Sequence, residues 1–368
     1  MPFWGITASQ EKTMDKGLLE KEIGLYRESA GKMVEYFREN ARELPWRNTG
    51  DPYKVWISEI MLQQTRIEAV LGYFTRFLEA LPTVEALAEC PDDLLMKLWE
   101  GLGYYSRARN LKKAARIIAE KGFPEKASEL IRLPGIGPYT SGAIASIAFG
   151  EKAVAVDGNV IRVLSRLCGR TLTKEEAGVL LEAWFPTGGE GEFTQSWMEL
   201  GETLCTPGGN VKCLLCPLQN QCCAHKENTA HLLPVLPEKK ARKKEVWTFF
   251  YWEHEGVLAL RKRPHKGVLA SMWEFPSYKG SFTKKTLESH LLEEGLSLLA
   301  PPRYLGKSKH IFTHIEWTMH FWKLSLAKAP ALPELLWIAP RQMEKEIPLA
   351  SAFHPLRKMI LEEEEKKI

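Results

Sequence analysis

Four of the seven cysteines crowd into eighteen residues, at Cys205, Cys213, Cys216 and Cys222, with Cys223 directly after the last. The spacing is Cys-x7-Cys-x2-Cys-x5-Cys. Thiols this close in sequence converge on one point only if the chain between them loops around it, so the segment reads as a staple. Three chemistries are open for it. Disulfides fit poorly: the N-terminal stretch MPFWGITASQEKTMDKG has no apolar h-region, and nothing else marks an oxidising compartment. Structural zinc usually joins two Cys-x2-Cys knuckles, and only one is present. A cubane [4Fe–4S] cluster takes four thiolates from one loop and tolerates uneven spacing. Chemistry alone favours iron–sulfur, with zinc the weaker alternative and no metal the third reading. Cys90 and Cys168 lie far away inside helical patterns and read as small core residues.

The chain before the cysteines is helical in pattern. From about residue 30 to 225, apolar residues recur at three- and four-residue spacing in segments such as MVEYFREN, KVWISEIMLQQT and NLKKAARIIAEKG. Breakers at Leu44-Pro45, Leu81-Pro82, Cys90-Pro91, Phe123-Pro124 and Leu133-Pro134 divide them, which predicts nine to eleven helices and an all-α half. Residues 1–29 lack periodicity and read as a loosely held lead-in. Residues 231–245 (HLLPVLPEKKARKKE) read as a basic linker, either a solvated tether or a phosphate-contacting arm. Beyond it, VWTFFYWEH, GVLALRKR and HIFTHIEWTMHFWKLSL are β-like, with helical patterns between and after them. The expected architecture is therefore multidomain: an all-α domain over 30–230, including the cysteine loop 205–222, and an α+β domain over 246–368. A length of 368 residues suits two domains. No apolar run approaches the ~18 residues that span a bilayer, so no membrane partner is expected. A net charge of +4 is too small to argue nucleic-acid binding by itself.

Local motifs make that argument better. Leu133-Pro134-Gly135-Ile136-Gly137-Pro138-Tyr139-Thr140 lies between two helical patterns, and Gly135 and Gly137 permit a tight turn with close backbone approach. Helix N-terminal amides exposed there would bind a phosphate, the alternative being a plain helix–helix turn. Gly101 to Arg116 (GLGYYSRARNLKKAAR) holds five basic residues, no acidic ones and the pair Tyr104-Tyr105. It reads as a backbone-tracking surface with a wedging aromatic, or as a solvated helix face. Glu59, in VWISEIML, has Val55, Trp56 and Leu62 as helical neighbours. A poorly solvated Glu is a candidate general acid, unless the helix turns it to solvent. Asp157 opens a helix at Gly158-Asn159-Val160 and reads as an N-cap whose carboxylate the helix terminus keeps ionised. One protonated and one anionic carboxyl is the division of labour for cleaving a glycosidic bond.

The LPGIGPYT hairpin, the VDGNV aspartate and the four-cysteine loop together resemble the helix-hairpin-helix DNA glycosylase superfamily, in its iron–sulfur branch. WISEIMLQQT, LPWR, DPYKVW and GLGYYSRARN resemble its MutY-type adenine glycosylases in particular. The resemblance implies double-stranded DNA with 8-oxoguanine:adenine or guanine:adenine mispairs as substrate, adenine being flipped out and excised. It implies that Glu59 protonates adenine N7 and that Asp157 stabilises the oxocarbenium ion or a covalent sugar intermediate, with Tyr139 and Asn159 beside them. Arg42, Trp46, Arg47 and Leu102 fall where the family lines the adenine pocket. Gln64 and Tyr104 fall where side chains enter the base stack, with Thr65, Gly135 and Gly137 as further DNA contacts. Bifunctional relatives of the endonuclease III type carry at position 139 a lysine that forms a Schiff base; a tyrosine cannot, so a monofunctional enzyme is expected. Cys205, Cys213, Cys216 and Cys222 match the [4Fe–4S] ligands, although the family's first gap is x6 rather than x7.

The C-terminal part resembles the 8-oxoguanine-sensing domain of this family, a Nudix relative. His310, Phe312, Thr313 and His314 match its lesion-reading loop, where Phe-Ser-His is usual. Gly280 to Gly295 lacks the acidic set of a Nudix box, so phosphohydrolysis is not expected. A monomeric, cytoplasmic, DNA-associated protein completes the expectation. Three competing readings remain. A glycosylase for thymine or uracil mismatches fits the Glu59 acid and the lesion loop poorly. A zinc nucleobase deaminase needs H-x-E before P-C-x-x-C, whereas here His314-Ile315-Glu316 comes after the cysteines and Lys212 precedes Cys213. A non-catalytic DNA-binding module would leave Glu59 exposed.

Overall fold

The computed structural model describes residues 15–237 and 241–366. They form two compact units: the described residues up to Thr75 with Lys113–Pro237, and Arg76–Lys112 with those from 241 onward. The segment expected as one all-α domain over 30–230 thus gives residues 76–112 to the second unit.

The helices before the linker are α1 (Lys16–Leu25), α2 (Ser29–Asn40), α3 (Pro52–Leu62), α4 (Ile67–Ala80), α5 (Val84–Glu89), α6 (Asp92–Leu98) and α7 (Ser106–Lys121). They continue with α8 (Ala127–Leu130), α9 (Pro138–Phe149), α10 (Gly158–Cys168), α11 (Lys174–Trp184), α12 (Glu190–Thr203) and α13 (Cys223–Lys226). Their ends follow local chemistry. The Asp51 side chain caps α3, and Pro52 takes the first helical position, where no amide hydrogen is missed. Thr173 and Glu176 form a capping box on α11, and Gly150 and Gly169 close α9 and α10 in the left-handed conformation.

In the first unit, Val160, Val163, Leu164 and Leu167 of α10 pack with Leu180 and Trp184 of α11 and Phe193, Trp197 and Leu200 of α12. Full burial of such a side chain is worth about 1.5–3 kcal/mol. Leu19 and Tyr26 join this core, and Glu22 of α1 pairs with Arg170 at 2.8 Å. Residues 16–25, expected within a loosely held lead-in, are therefore a docked helix; residues 1–14 lie outside the described residues. Leu19, Ile23, Tyr26 and an ion pair anchor it, too sparse a set to show as periodicity. Close approach also matters. A Cβ on Gly142 of α9 would overlap the Val154 carbonyl oxygen, so the segment leading to Asp157 passes α9 at a distance only glycine allows.

The second unit is built on a seven-stranded sheet: β1 (Lys243–His254), β2 (Val257–Lys262), β3 (Trp273–Glu274), β4 (Ser277–Lys279), β5 (Arg303–Ile311), β6 (Ile315–Ser325) and β7 (Leu335–Ile338). The order is β3-β2-β1-β6-β5, with β4 beside β1 and β7 beside β2; β1 and β6 run parallel. Helices α14 (Lys284–Glu293), α15 (Pro340–Glu346) and α16 (His354–Glu365) complete it. Strand β1 is buried on both faces. Phe250 and Trp252 meet Leu287 and Leu291 of α14, while the Phe249 ring lies 5.1 Å from that of Phe353. Two covered faces explain the unbroken apolar run. Lys243–Glu245, expected as linker, already belong to β1 and pair with Ile315–Trp317, because backbone pairing needs no apolar side chains. The linker residues 238–240 lie outside the described residues. Residues 76–112 are tied into this unit by Lys97, which donates to the Glu344 and Ile347 carbonyls, and by Arg109, which donates to that of Ala270.

Candidate active site

A cleft of about 1060 Å³ opens in the first unit, and it gathers residues far apart in sequence. Glu59 comes from the middle of α3, Tyr139 from the first turn of α9, and Asp157 and Asn159 from the start of α10. Every α3 residue from Val55 to Met61 is buried, and Glu59 is only 7% exposed. This desolvation pushes its carboxyl up from 4.5 to about 7. The nearby Tyr139 hydroxyl and the positive charge of Arg47 work against the shift, while Asp157 and Glu202 add to it. The reading in which Glu59 faces bulk solvent is excluded.

Asp157 caps α10 as expected. Its Oδ1 accepts the Val160 amide at 2.7 Å, capping α10, and its Oδ2 accepts from Asn159 Nδ2 at 3.1 Å. The helix amides favour the ionised form, but burial outweighs them and moves the carboxyl above its usual value. The expectation that the helix terminus keeps this carboxylate ionised is corrected: burial moves it toward the protonated form. Among the described residues no backbone amide donates to Glu59, so the two carboxyls still sit in unlike settings. Tyr139 keeps its hydroxyl proton, held there first by burial and then by the two carboxylates.

The hairpin is a helix–turn–helix element: α8, a turn with Gly135 at φ 80°, and α9 starting at Pro138. Gly137 stands at the N-cap without a side-chain cap, and both glycines line the cleft. Gln64 and Thr65 line it too, and Gln64 holds a left-handed φ of 58°, a costly conformation for a side chain of this kind. Trp46 is buried at the cleft wall against Phe74. Arg42 and Arg47 are both held by Glu199, whose side chain is fully buried. Arg42 Nε and Nη2 reach its two oxygens at 2.7 and 2.9 Å, and Arg47 Nη2 reaches it at 2.6 Å. Burial favours the neutral acid at Glu199, yet the two guanidinium groups hold it below the usual carboxylate range. Leu102 is buried in the second unit and is not among the residues lining the cleft.

A separate cavity of about 30 Å³ is lined by Cys205, Cys213, Cys216 and Cys222 together. Arg166 Nη1 donates to Cys205 Sγ at 3.3 Å. Cys223 faces elsewhere, with its sulfur 3.1 Å from Tyr26 Oη. The long first gap is taken up by the turn Thr206–Asn210, where Thr206 Oγ1 donates to the Asn210 carbonyl, and Lys212 N returns to the Leu204 carbonyl. As the side chains stand, no three His, Cys, Asp or Glu residues among those described are close enough to hold a metal ion. Four thiols around one enclosed space are the donor chemistry that a thiolate-ligated centre requires.

Comparisons with known proteins agree with this geometry. The family model described as HhH-GPD superfamily base excision DNA repair protein matches residues 57–187, and the NUDIX domain model matches 247–359. An adenine DNA glycosylase of Arabidopsis thaliana is 34% identical over 345 residues, covering 77% of this chain and 55% of that protein. One from Buchnera aphidicola subsp. Schizaphis graminum is 34% identical over 299 residues, covering 78% of this chain and 84% of its own. The chain belongs to the adenine DNA glycosylase family. It spans about half the length of the Arabidopsis relative. Among solved structures, a thermostable thymine-DNA glycosylase matches with a TM-score of 0.51 at 27% identity, covering 56% of this chain and 98% of that one.

In this member of the adenine glycosylase family, the turn 312–314 joins β5 to β6, and His310 lies at the end of β5. The Phe312 ring stands edge-on to Trp317 at 4.8 Å and to His310 at 4.6 Å. Thr313 and His314 are exposed, and Thr313 Oγ1 lies 2.8 Å from the Tyr104 hydroxyl, within the same unit. Tyr104 also has a left-handed φ, 46°. The basic stretch 101–116 differs from a free backbone-tracking surface. Arg107 is buried, donates to the Leu102 and Gly103 carbonyls and stacks on Trp99; Lys112 is buried against Asp92; Arg109 donates to the Ala270 carbonyl. Lys113 and Arg116 are exposed. Sequence reasoning missed the α12 face of Gln195, Met198, Glu199 and Glu202, all on the cleft. Their three- and four-residue spacing is a polar stripe on a helix with a buried apolar face, and that was the available signal.

Proposed function

We propose that the chain excises adenine paired with 8-oxoguanine or guanine in double-stranded DNA, without cutting the strand. The observation that carries this is the meeting of Glu59 and Asp157 in one cleft, one carboxyl buried without amide donors and the other seated on a helix N-terminus. A flipped adenine entering the cleft receives the Glu59 proton at N7, which turns the base into a neutral leaving group. As the glycosidic bond breaks, positive charge develops on the sugar, and the Asp157 carboxylate stabilises it as an ion pair or as a covalent adduct. Asn159 fixes the Asp157 oxygen, and Tyr139 stands beside Glu59 on the cleft wall, its hydroxyl donating to Met198 Sδ at 3.6 Å. Arg42, Trp46 and Arg47 bound the base, and Gln64 and Tyr104 enter the stack. Tyr139 offers no amine, so no Schiff base forms.

Cys205, Cys213, Cys216 and Cys222 would hold a [4Fe–4S] cluster, whose role is to tie the loop that closes the unit. Phe312, Thr313 and His314, backed by His310, would read the 8-oxoguanine. The test is incubation with an 8-oxoguanine:adenine duplex followed by alkaline cleavage of abasic sites, beside a thymine:adenine control. Product only from the mispair supports the reading, and no product above control overturns it. Borohydride trapping of wild-type protein on DNA in high yield would overturn the monofunctional assignment. Absorbance near ~400 nm supports iron–sulfur, and a colourless zinc-containing protein supports the alternative.

A further inference from the structure

We propose that Glu202 is a third carboxylate of the reaction centre, a positioning residue that acts through Glu59 and is itself governed by Arg42. The inference rests on the glycosylase reading of the cleft and adds to it a group that the two-carboxylate scheme does not contain.

The placement of Glu202 is specific. The preceding residue, Gly201, lies so close to Asn159 that a Cβ on it would stand 2.9 Å from the Asn159 Cβ. Arg162 pins the same spot: its Nη2 donates to the Gly201 carbonyl at 2.7 Å and to Asn159 Oδ1 at 2.8 Å. Residue 202 is thereby held beside the turn that carries Asp157, and its side chain lines the cleft with Glu59. One turn earlier on α12, Glu199 takes both nitrogens of Arg42 at hydrogen-bonding distance, whereas Glu202 Oε2 stands 3.5 Å from Arg42 Nη2. Arg42 is thus committed to Glu199 and leaves the Glu202 charge incompletely neutralised.

The groups facing Glu59 are Tyr139 from α9, Asp157 from the start of α10, Glu202 from α12 and Arg47 from the segment after α2. The groups facing Glu202 are Arg42, Asp157, Glu199, Glu59, Tyr139 and Arg162, and burial moves its own carboxyl up. Two negative neighbours favour the protonated form of Glu59, and Glu202 is the one of the two not required by the chemistry at the sugar. Its side chain is 37% exposed, so solvent screens it and the effect is modest.

The test uses the full chain as wild type, Glu202→Gln and Glu202→Asp. The Glu59 carboxyl is titrated by 13C NMR, with its resonance assigned by loss in Glu59→Gln, and single-turnover adenine release is followed across pH. The expected midpoint of Glu59 falls by about half a unit in Glu202→Gln. Base release then becomes about threefold slower on the alkaline limb and unchanged on the acid side of the midpoint, and Glu202→Asp restores most of both. A Glu59 midpoint unmoved by Glu202→Gln, or a loss of rate uniform with pH, overturns the proposal. A moved midpoint in a protein that releases no adenine overturns the glycosylase reading and leaves the action of Glu202 on Glu59 standing.

Discussion

The cleft of the first unit and the 312–314 turn of the second handle polar groups in opposite ways. In the cleft, carboxylates are withdrawn from water: Glu59 sits inside a wholly buried stretch of α3, and Glu199 is fully buried between two arginines. On the turn, Thr313 and His314 are exposed at the tip of two paired strands, and Phe312 supports them from below against Trp317. The first arrangement uses desolvation to change proton affinity, which is what bond cleavage needs. The second displays donors and acceptors to solvent, which is what recognition needs.

This contrast is open to attack at several points. The largest effect is expected at the cleft centre, where Glu59→Gln should slow adenine release by roughly 10²–10⁴-fold at neutral pH. Single-turnover assays decide it, and a variant as fast as wild type would reduce the cleft to a binding surface. Next, Glu199→Gln should cost roughly 3–5 kcal/mol of folding stability in urea titration, because it leaves Arg47 and part of Arg42 without their carboxylate. A cost within a few tenths of a kcal/mol would mean that the buried network is not what holds Arg42 and Arg47.

The pH dependence follows from Glu59 titrating at about 7 in the fold rather than at 4.5. The folded chain keeps this proton where the unfolded chain has lost it. The stabilising contribution is therefore complete below about 4.5 and disappears as pH rises through about 7. Relative to Glu59→Gln, wild type should lose about 3 kcal/mol across that window, and its catalytic rate should fall as pH rises past the same midpoint. Parallel stability curves for the two proteins would remove desolvation as the cause. The smallest effect belongs to the turn: Thr313→Ala should weaken binding to an 8-oxoguanine duplex by about 1 kcal/mol and leave the Glu59 midpoint unchanged. A shifted midpoint there would join the two regions that the comparison separates.

Much of the candidate site was legible because its chemistry is carried by short motifs. Glu59 stands among apolar helical neighbours, Asp157 opens a helix, and the cysteines announce a loop; each is a local pattern that fixes local structure. Glu199 and Glu202 were not legible, since α12 shows only a polar stripe, and its meaning depends on Arg42 lying roughly 160 residues earlier in the chain. The stretch 101–116 misled for the same reason. Its charge was visible, but burial of Arg107 under Trp99 and of Lys112 against Asp92 depends on partners that no local pattern names.

The sequence alone therefore determined the family, the two-part helical and mixed-sheet architecture, and the thiol, hairpin and carboxylate motifs, because spacing, capping and turn residues act over a few positions. Tertiary structure decided which carboxylates share a cleft, which sulfur turns away, and how far each proton affinity moves. Desolvation and charge–charge interaction depend on distance through space, and distance along the chain does not predict it.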